Sequence, residues 1–173
     1  MITRDGRTVY VSPTSLSRDL IPVDVATRRA GKPIHLAARP AAMVLSPDGR
    51  IIYLVSAVPG TVTPMVAASG RTGTPIKVGR GPVALAFTPD GKIAYAVNRD
   101  SGTVTPIEVA TGRALPAIRV GSRPMTIAVT PDGKTAYVTN SGSGTVTPID
   151  IRTQTARAAI RVGGEPVAMV IAP

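Results

Sequence analysis

From Pro131 to Asp150 the chain reads PDGKTAYVTNSGSGTVTPID. Two near copies precede it: PDGKIAYAVNRDSGTVTPIE from Pro89 and PDGRIIYLVSAVPGTVTPMV from Pro47. Self-similarity at a fixed period is the mark of a repeat architecture, and here the period can be read from several anchors at once. Asp-Gly turns begin at Asp5, Asp48, Asp90 and Asp132, and a tyrosine follows each one, at Tyr10, Tyr53, Tyr95 and Tyr137. Prolines recur 42 residues apart at Pro22, Pro64, Pro106 and Pro148, and again at Pro40, Pro82, Pro124 and Pro166. Isoleucines keep the same 42-residue spacing at Ile34, Ile76, Ile118 and Ile160. The register slips only once, by one residue between Tyr10 and Pro22.

Each unit divides at its turn signals into four short apolar stretches. In the last unit these are expected over 124–130 (strand A), 135–140 (strand B), 145–151 (strand C) and 156–162 (strand D). Met125, Ile127 and Val129 alternate along strand A with the two-residue period of a strand. No segment carries an apolar period of 3.6 residues, so almost no helix is expected. Four antiparallel strands in about 42 residues predict a β-propeller blade, with an all-β fold of four blades. One repeat domain over 1–173 is expected, with units at about 1–39, 40–81, 82–123 and 124–165 and a closing strand over 166–173. Residues 1–3 align with the tail of a strand A. The last strand would therefore complete the first blade and close a four-bladed ring; otherwise the chain would be part of a larger ring, either a half-ring that pairs with a second copy into eight blades or a fragment of a longer array.

The motif Tyr137-Val138-Thr139-Asn140, with its flanking PDGK, SGTV and VGxxP elements, resembles the YVTN β-propeller repeat along essentially the whole chain. The resemblance implies radial blades with strand A innermost and strand D outermost. It also implies a surface or secreted protein that binds partners, although related propellers include lactonases and a lyase. One departure is the proline in strand C, where an apolar residue is usual. Proline cannot donate to a ladder, so a bulge is expected there, or a position whose missing N–H faces no neighbour.

Composition narrows the chemistry. Of 173 residues 43% are hydrophobic but only 3% aromatic, so the core must be built from Val, Ile, Ala, Leu, Met and a few Tyr. Cysteine is absent, which excludes disulfides, thiol nucleophiles and thiolate-held metals. No signal peptide is legible in the first residues and no apolar run is long enough to span a membrane as a helix. The net charge of +10 points to acidic partners, either an unknown protein or another anionic partner.

Placement within the repeat weighs against catalysis. Asp5, Asp48, Asp90 and Asp132 are expected to form turns, and Tyr10, Tyr53, Tyr95 and Tyr137 to pack between blades with their hydroxyls bonded at the rim. His35, the only histidine, occupies the place of Lys77, Arg119 and Arg161 and reads as a surface residue. Neither a catalytic residue nor a metal or cofactor site is assigned. Three acids, Asp19, Asp100 and Glu165, break the repeat. With Arg39, Arg80, Arg123, Asn98 and Asn140 they are expected on the face built from the B–C and D–A loops, where a propeller individualises a ligand site. Oxygen donors there would suit a hard cation, but ordinary polar loop residues are the preferred reading of them. The remaining arginines and lysines recur in rings rather than gathering in one groove. A non-catalytic binding scaffold is thus the preferred function. The alternatives are a propeller enzyme of lactonase or lyase type and a basic adaptor for nucleic acid or anionic surfaces.

Overall fold

The computed structural model describes residues 1–13 and 17–171. These residues contain strands, bridges and turns and no helix. The strands form four antiparallel sheets in chain order. The first holds β1 (Thr8–Val11), β2 (Asp19–Asp24), β3 (Arg29–Ala30) and β4 (Ile34–His35). The second holds β5 (Ala42–Leu45), β6 (Ile51–Ser56), β7 (Thr61–Val66) and β8 (Ile76–Lys77). The third runs through β9 (Pro82–Phe87), β10 (Ile93–Asn98), β11 (Thr103–Glu108), β12 (Arg113–Ala114) and β13 (Ile118–Arg119). The fourth runs through β14 (Pro124–Val129), β15 (Thr135–Asn140), β16 (Thr145–Asp150), β17 (Thr155–Ala156) and β18 (Ile160–Arg161).

Each sheet is one repeat unit, and the turn between strands A and B shows why the PDG motif recurs. The glycines take left-handed φ values of +70° at Gly6, +76° at Gly49, +69° at Gly91 and +67° at Gly133. That conformation is cheap only for glycine. Each turn aspartate accepts the amide two residues on, from Arg7, Arg50, Lys92 and Lys134 at 3.0–3.1 Å. A hydroxyl two residues before the aspartate closes the other side. Thr130 Oγ1 donates to Asp132 at 2.6 Å and accepts the Thr135 amide at 3.1 Å. Thr3, Ser46 and Thr88 repeat this arrangement. The aspartates are therefore turn formers.

The strand C proline interrupts the outer edge of every sheet. Tyr10, Tyr53, Tyr95 and Tyr137 stand opposite Pro22, Pro64, Pro106 and Pro148. Each proline carbonyl accepts a bond from the strand D side, from Gly31, Gly73, Leu115 and Arg157 at 2.7–2.8 Å. A residue's N and O point to the same edge of an antiparallel strand, so the missing N–H also faces strand D. Strand D consequently breaks into two short pairings, β12 and β13 in the third blade and β17 and β18 in the fourth. The continuous strand expected over 156–162 is not formed, because the proline offers it no donor at its midpoint.

Alternation along the strands sends one set of side chains to the preceding blade and the other to the following one. Between the second and third blades, Tyr53, Val55, Val62 and Ile76 meet Leu85, Ala94, Ala96 and Ile107. Between the third and fourth, Tyr95, Val97, Val104 and Ile118 meet Ile127, Ala136, Val138 and Ile149. Between the first and second, Tyr10, Leu20 and Leu36 meet Ile52, Leu54, Met65 and Ala67. The core therefore lies between blades, built from the same repeat positions each time. Fully burying such side chains contributes roughly 1.5–3 kcal/mol apiece.

The tyrosines seal these seams. The Tyr10 hydroxyl donates to Ala67 O at 2.7 Å across the first, and Tyr95 Oη accepts Gln154 Nε2 at 2.8 Å across the third. The Tyr53 ring meets Phe87 edge-on at a centroid distance of 5.1 Å. Tyr137, on the outer face of the fourth blade, is only half-buried. Met1 and Ile2 lie beside β1, as the alignment of residues 1–3 predicts: Tyr10 N donates to Met1 O at 2.8 Å, and Ile2 bridges Val9. Residues 166–171 form no strand and do not pair with β1, and Val167 and Val170 are 60% and 91% exposed. Among the described residues the four blades are present without the closing strand, whose expected positions 172 and 173 lie outside the described residues.

Candidate functional site

The B–C and D–A loops of neighbouring blades are tied together. At the seam between the second and third blades, Arg99 N donates to Gly81 O at 3.0 Å and Asp100 N to Arg80 O at 3.2 Å, while Arg80 N donates to Ser101 Oγ at 2.6 Å. The next seam repeats the pattern. Ser141 N donates to Arg123 O and Gly142 N to Ser122 O, both at 3.0 Å, and Ser122 N donates to Ser143 Oγ at 3.1 Å. These bonds make the loops one supported surface rather than independent tips.

Two asparagines anchor that surface from beneath. Asn140 is fully buried, and its Nδ2 donates to Thr145 Oγ1 at 3.1 Å and Thr147 Oγ1 at 2.9 Å. Its Oδ1 accepts the Gly121 amide of the preceding blade at 3.1 Å. Asn98 is equally buried and donates to Thr103 Oγ1 at 3.1 Å and Thr105 Oγ1 at 2.9 Å. A Cβ at Gly79 would lie 2.7 Å from Asn98 Cγ, and one at Gly121 2.7 Å from Asn140 Cγ. Both asparagines were expected to face a ligand from the loop surface. Their burial corrects that reading: they hold β10 and β15 to the next strand and leave no side-chain surface for a ligand.

The other candidates do lie at the loop rim. Asp19 begins β2, where its carboxylate meets His35 Nδ1 at 2.9 Å and accepts the Ser17 hydroxyl at 3.2 Å. The His35 bond, with help from Ser17, holds the Asp19 carboxyl below its ordinary value. His35 is 79% exposed and takes the surface position expected of it. Asp100 pairs with Arg99 Nε at 3.0 Å. Arg39, Arg80, Arg123 and Glu165 are exposed in the D–A loops. Asp19, Asp100 and Glu165 belong to different blades. Among the described residues no group of three or more His, Asp or Glu side chains could hold a metal ion.

Two clefts open on this surface. One, of about 480 Å³, is lined by Arg99, Asp100, Ser101, Gly102, Ser122 and Arg123. The other, of about 590 Å³, lies between Arg123, the 141–144 loop, Arg161 and Glu165. Arg123 stands between the two, with a left-handed φ of +50° that a non-glycine residue seldom adopts. Sequence reasoning missed Ser101 and Ser143, which cap the neighbouring loops. Their signal was available: both fall at one repeat position, next to the B–C turn glycine.

The opposite face uses its charges within the repeat. Arg113 pairs with Glu108 at 2.9 Å and Arg157 with Asp150 at 2.5 Å, and Lys92 and Lys134 lie 3.7 Å from the turn aspartates Asp90 and Asp132. Arg157, then the Thr153 amide, pulls the Asp150 carboxyl down to about 2.

Among solved structures the chain is similar to Kuenenia stuttgartiensis hydrazine synthase, with a TM-score of 0.82 at 25% identity over 94% of this chain and 48% of that one. The fold is a β-propeller. A Bacteroides uniformis protein described as a putative 6-phosphogluconolactonase gives a TM-score of 0.79 at 20% identity over 97% of this chain and 55% of its own. A functionally unknown protein from Desulfotomaculum acetoxidans gives 0.75 at 20% identity, covering 96% and 58%. This chain thus spans about half the length of the propeller chains it matches. No family model matches it, and no curated protein does. The YVTN likeness accordingly rests on the quoted motifs.

Proposed function

We infer that the chain is a non-catalytic binding scaffold of YVTN type that presents its B–C and D–A loops, with their arginines, to an anionic partner. The observation that carries this reading is where the repeat is broken. Many polar residues that recur in register are used by turns, seams and ion pairs. Among the residues that differ from unit to unit, Asp19, Arg99, Asp100, Ser122 and Glu165 lie at the loop rim. A rim braced by seam-crossing hydrogen bonds suits binding, since little ordering entropy is lost when a partner docks. Guanidinium groups at its clefts suit carboxylate or phosphate groups.

The test is fluorescence anisotropy with labelled poly-glutamate and with a short DNA duplex across a salt series, beside a lactone-hydrolysis assay on 6-phosphogluconolactone. The scaffold reading predicts binding that weakens with salt and no turnover above the uncatalysed rate. Turnover would replace it with the enzyme reading. Binding to DNA alone would favour a basic adaptor.

A further inference from the structure

We propose that the groove at the seam between the second and third blades binds the side-chain carboxamide of a glutamine from a peptide partner. The next seam shows the chemistry from within the chain. There Gln154 reaches between the third and fourth blades, and its Nε2 donates both to Tyr95 Oη and to Ile151 O, each at 2.8 Å. Between the first and second blades no bridge is needed, because the Tyr10 hydroxyl donates straight to Ala67 O at 2.7 Å. Ala67, Val109 and Ile151 are one repeat position, 42 residues apart. The seam between the second and third blades has neither arrangement. Tyr53 is only 4% exposed, yet among the described residues its hydroxyl bonds no protein group, and neither does the Val109 carbonyl.

One position of the C–D turn makes the difference. Gln154 stands where the preceding blades have Gly112 and Gly70. All three take left-handed φ values, +57°, +67° and +68°. With no side chain at Gly112 the seam stays open as a cleft of about 760 Å³, walled by Ile51, Tyr53, Pro64, Ile76 and Val109. A smaller cleft of about 350 Å³ adjoins it and shares Ile51, Tyr53 and Val109. The residues that carry the unpaired hydroxyl and the unpaired carbonyl thus border the same opening, on the face away from the loop rim. A buried polar group without a partner is costly, and a ligand that supplies the missing hydrogen bonds recovers that cost.

A primary amide is the occupant that these groups select. Its nitrogen carries two hydrogens, one for the tyrosine oxygen and one for the carbonyl, as Gln154 shows. The apolar walls suit the methylenes that would carry it. Burial, with Asp48 nearby, raises the Tyr53 pKa, so its oxygen stays a neutral hydroxyl that can accept the amide. An ammonium would also donate, but Lys77 lines the cleft, and Asp48 and Asp90 beside it already hold the amides of their own turns. The chain's own plug is a glutamine side chain borne on backbone, and an extended peptide can present the same group from outside.

Titration of the ¹⁵N-labelled chain with a blocked alanine peptide carrying one central glutamine, followed by amide chemical shifts, tests the proposal. Shifts are expected at Val109, Ala110 and Gly112, and the same peptide with methionine or lysine in place of glutamine should bind roughly tenfold or more weakly. Gly112→Gln should plug the groove from within and abolish the shifts. A Cβ there lies an ordinary 3.7 Å from Ile76 Cδ1, so the side chain has room to enter. Gln154→Gly should unplug the neighbouring seam and add a second set of shifts around Ile151. Tyr53→Phe, which keeps the ring in the seam, should weaken binding by about tenfold. Equal binding of the methionine peptide, preference for lysine, or binding that survives both Gly112→Gln and Tyr53→Phe would overturn the proposal. So would the absence of any shift at millimolar peptide, which would leave the groove to water. The glutamine peptide is uncharged, so none of these outcomes bears on the arginines of the loop face.

Discussion

Gly121→Ala is a one-methyl substitution at a residue whose φ is not left-handed, so backbone strain predicts little effect. Packing predicts a large one. The new Cβ would lie 2.7 Å from both Cβ and Cγ of Asn140, and its shortest approach would be to Ser143 Oγ. Asn140 Cβ belongs to a fully buried residue of β15 and cannot swing away as the end of a flexible side chain would. Overpacking of this kind costs about 1–3 kcal/mol. Moving Asn140 also breaks the bond from Gly121 N to Asn140 Oδ1, for about 1 kcal/mol more. The sum, about 2–4 kcal/mol, corresponds to a fall in Tm of roughly 4–16 °C for a chain of this length. Gly163→Ala is the control. It has φ +72° with nothing within 4 Å of the added methyl, so it carries only the left-handed penalty of about 1–2 kcal/mol. Thermal melts followed by circular dichroism, repeated with Gly79→Ala at the equivalent seam, give the comparison. A Gly121→Ala protein that melts with the wild type would refute the claim that the buried asparagines fix the loop surface.

Three further outcomes follow from the bonds described. The turn aspartates and Asp150 have lowered carboxyl values when folded, so their stabilisation is present above the ordinary value near 3.8 and is lost as pH falls through the lowered one. Stability should fall between about pH 4 and 2, and Asp132→Asn, which keeps an acceptor for the Lys134 amide, should flatten that acid limb in urea titrations. Tyr95→Phe removes the acceptor for Gln154 Nε2 and should cost about 1 kcal/mol, read as a lower urea midpoint. Tyr137→Phe, at a half-buried site on the outer face of the fourth blade, should change the urea midpoint hardly at all.

The fold was legible because one period carries several kinds of signal. Asp-Gly dictates a left-handed turn, alternation dictates which face is buried, and the tyrosines fall at every seam that the chain forms. The break in strand D was not read from the sequence: the proline suggested a bulge or an N–H position that faces no neighbour, and a proline does not say which neighbour its missing N–H would have faced. The site was harder to read for a similar reason. Asn98 and Asn140 stand beside the loop rim in sequence, but one strand residue determines whether a side chain points up to solvent or down between β-strands. The hydroxyls of Thr103, Thr105, Thr145 and Thr147, which recur in register, were the sign that the two amides already had partners. Arg123 is the converse case. It was one of three arginines expected on the loop face, and only the folded loops place it between two clefts.

The binding account turns on which face meets the partner, and two triple variants of equal charge decide it. One replaces Arg80, Arg99 and Arg123 with alanine on the loop face. The other replaces Arg50, Lys92 and Lys134 on the opposite face. Each removes three positive charges from a chain of net charge +10, so a nonspecific attraction would weaken equally in both. Measured by anisotropy with labelled poly-glutamate at fixed salt, the loop-face variant should lose about tenfold or more in affinity while the opposite-face variant stays within about twofold of the wild type. Equal losses in the two variants, or a larger loss from the opposite face, would contradict the account.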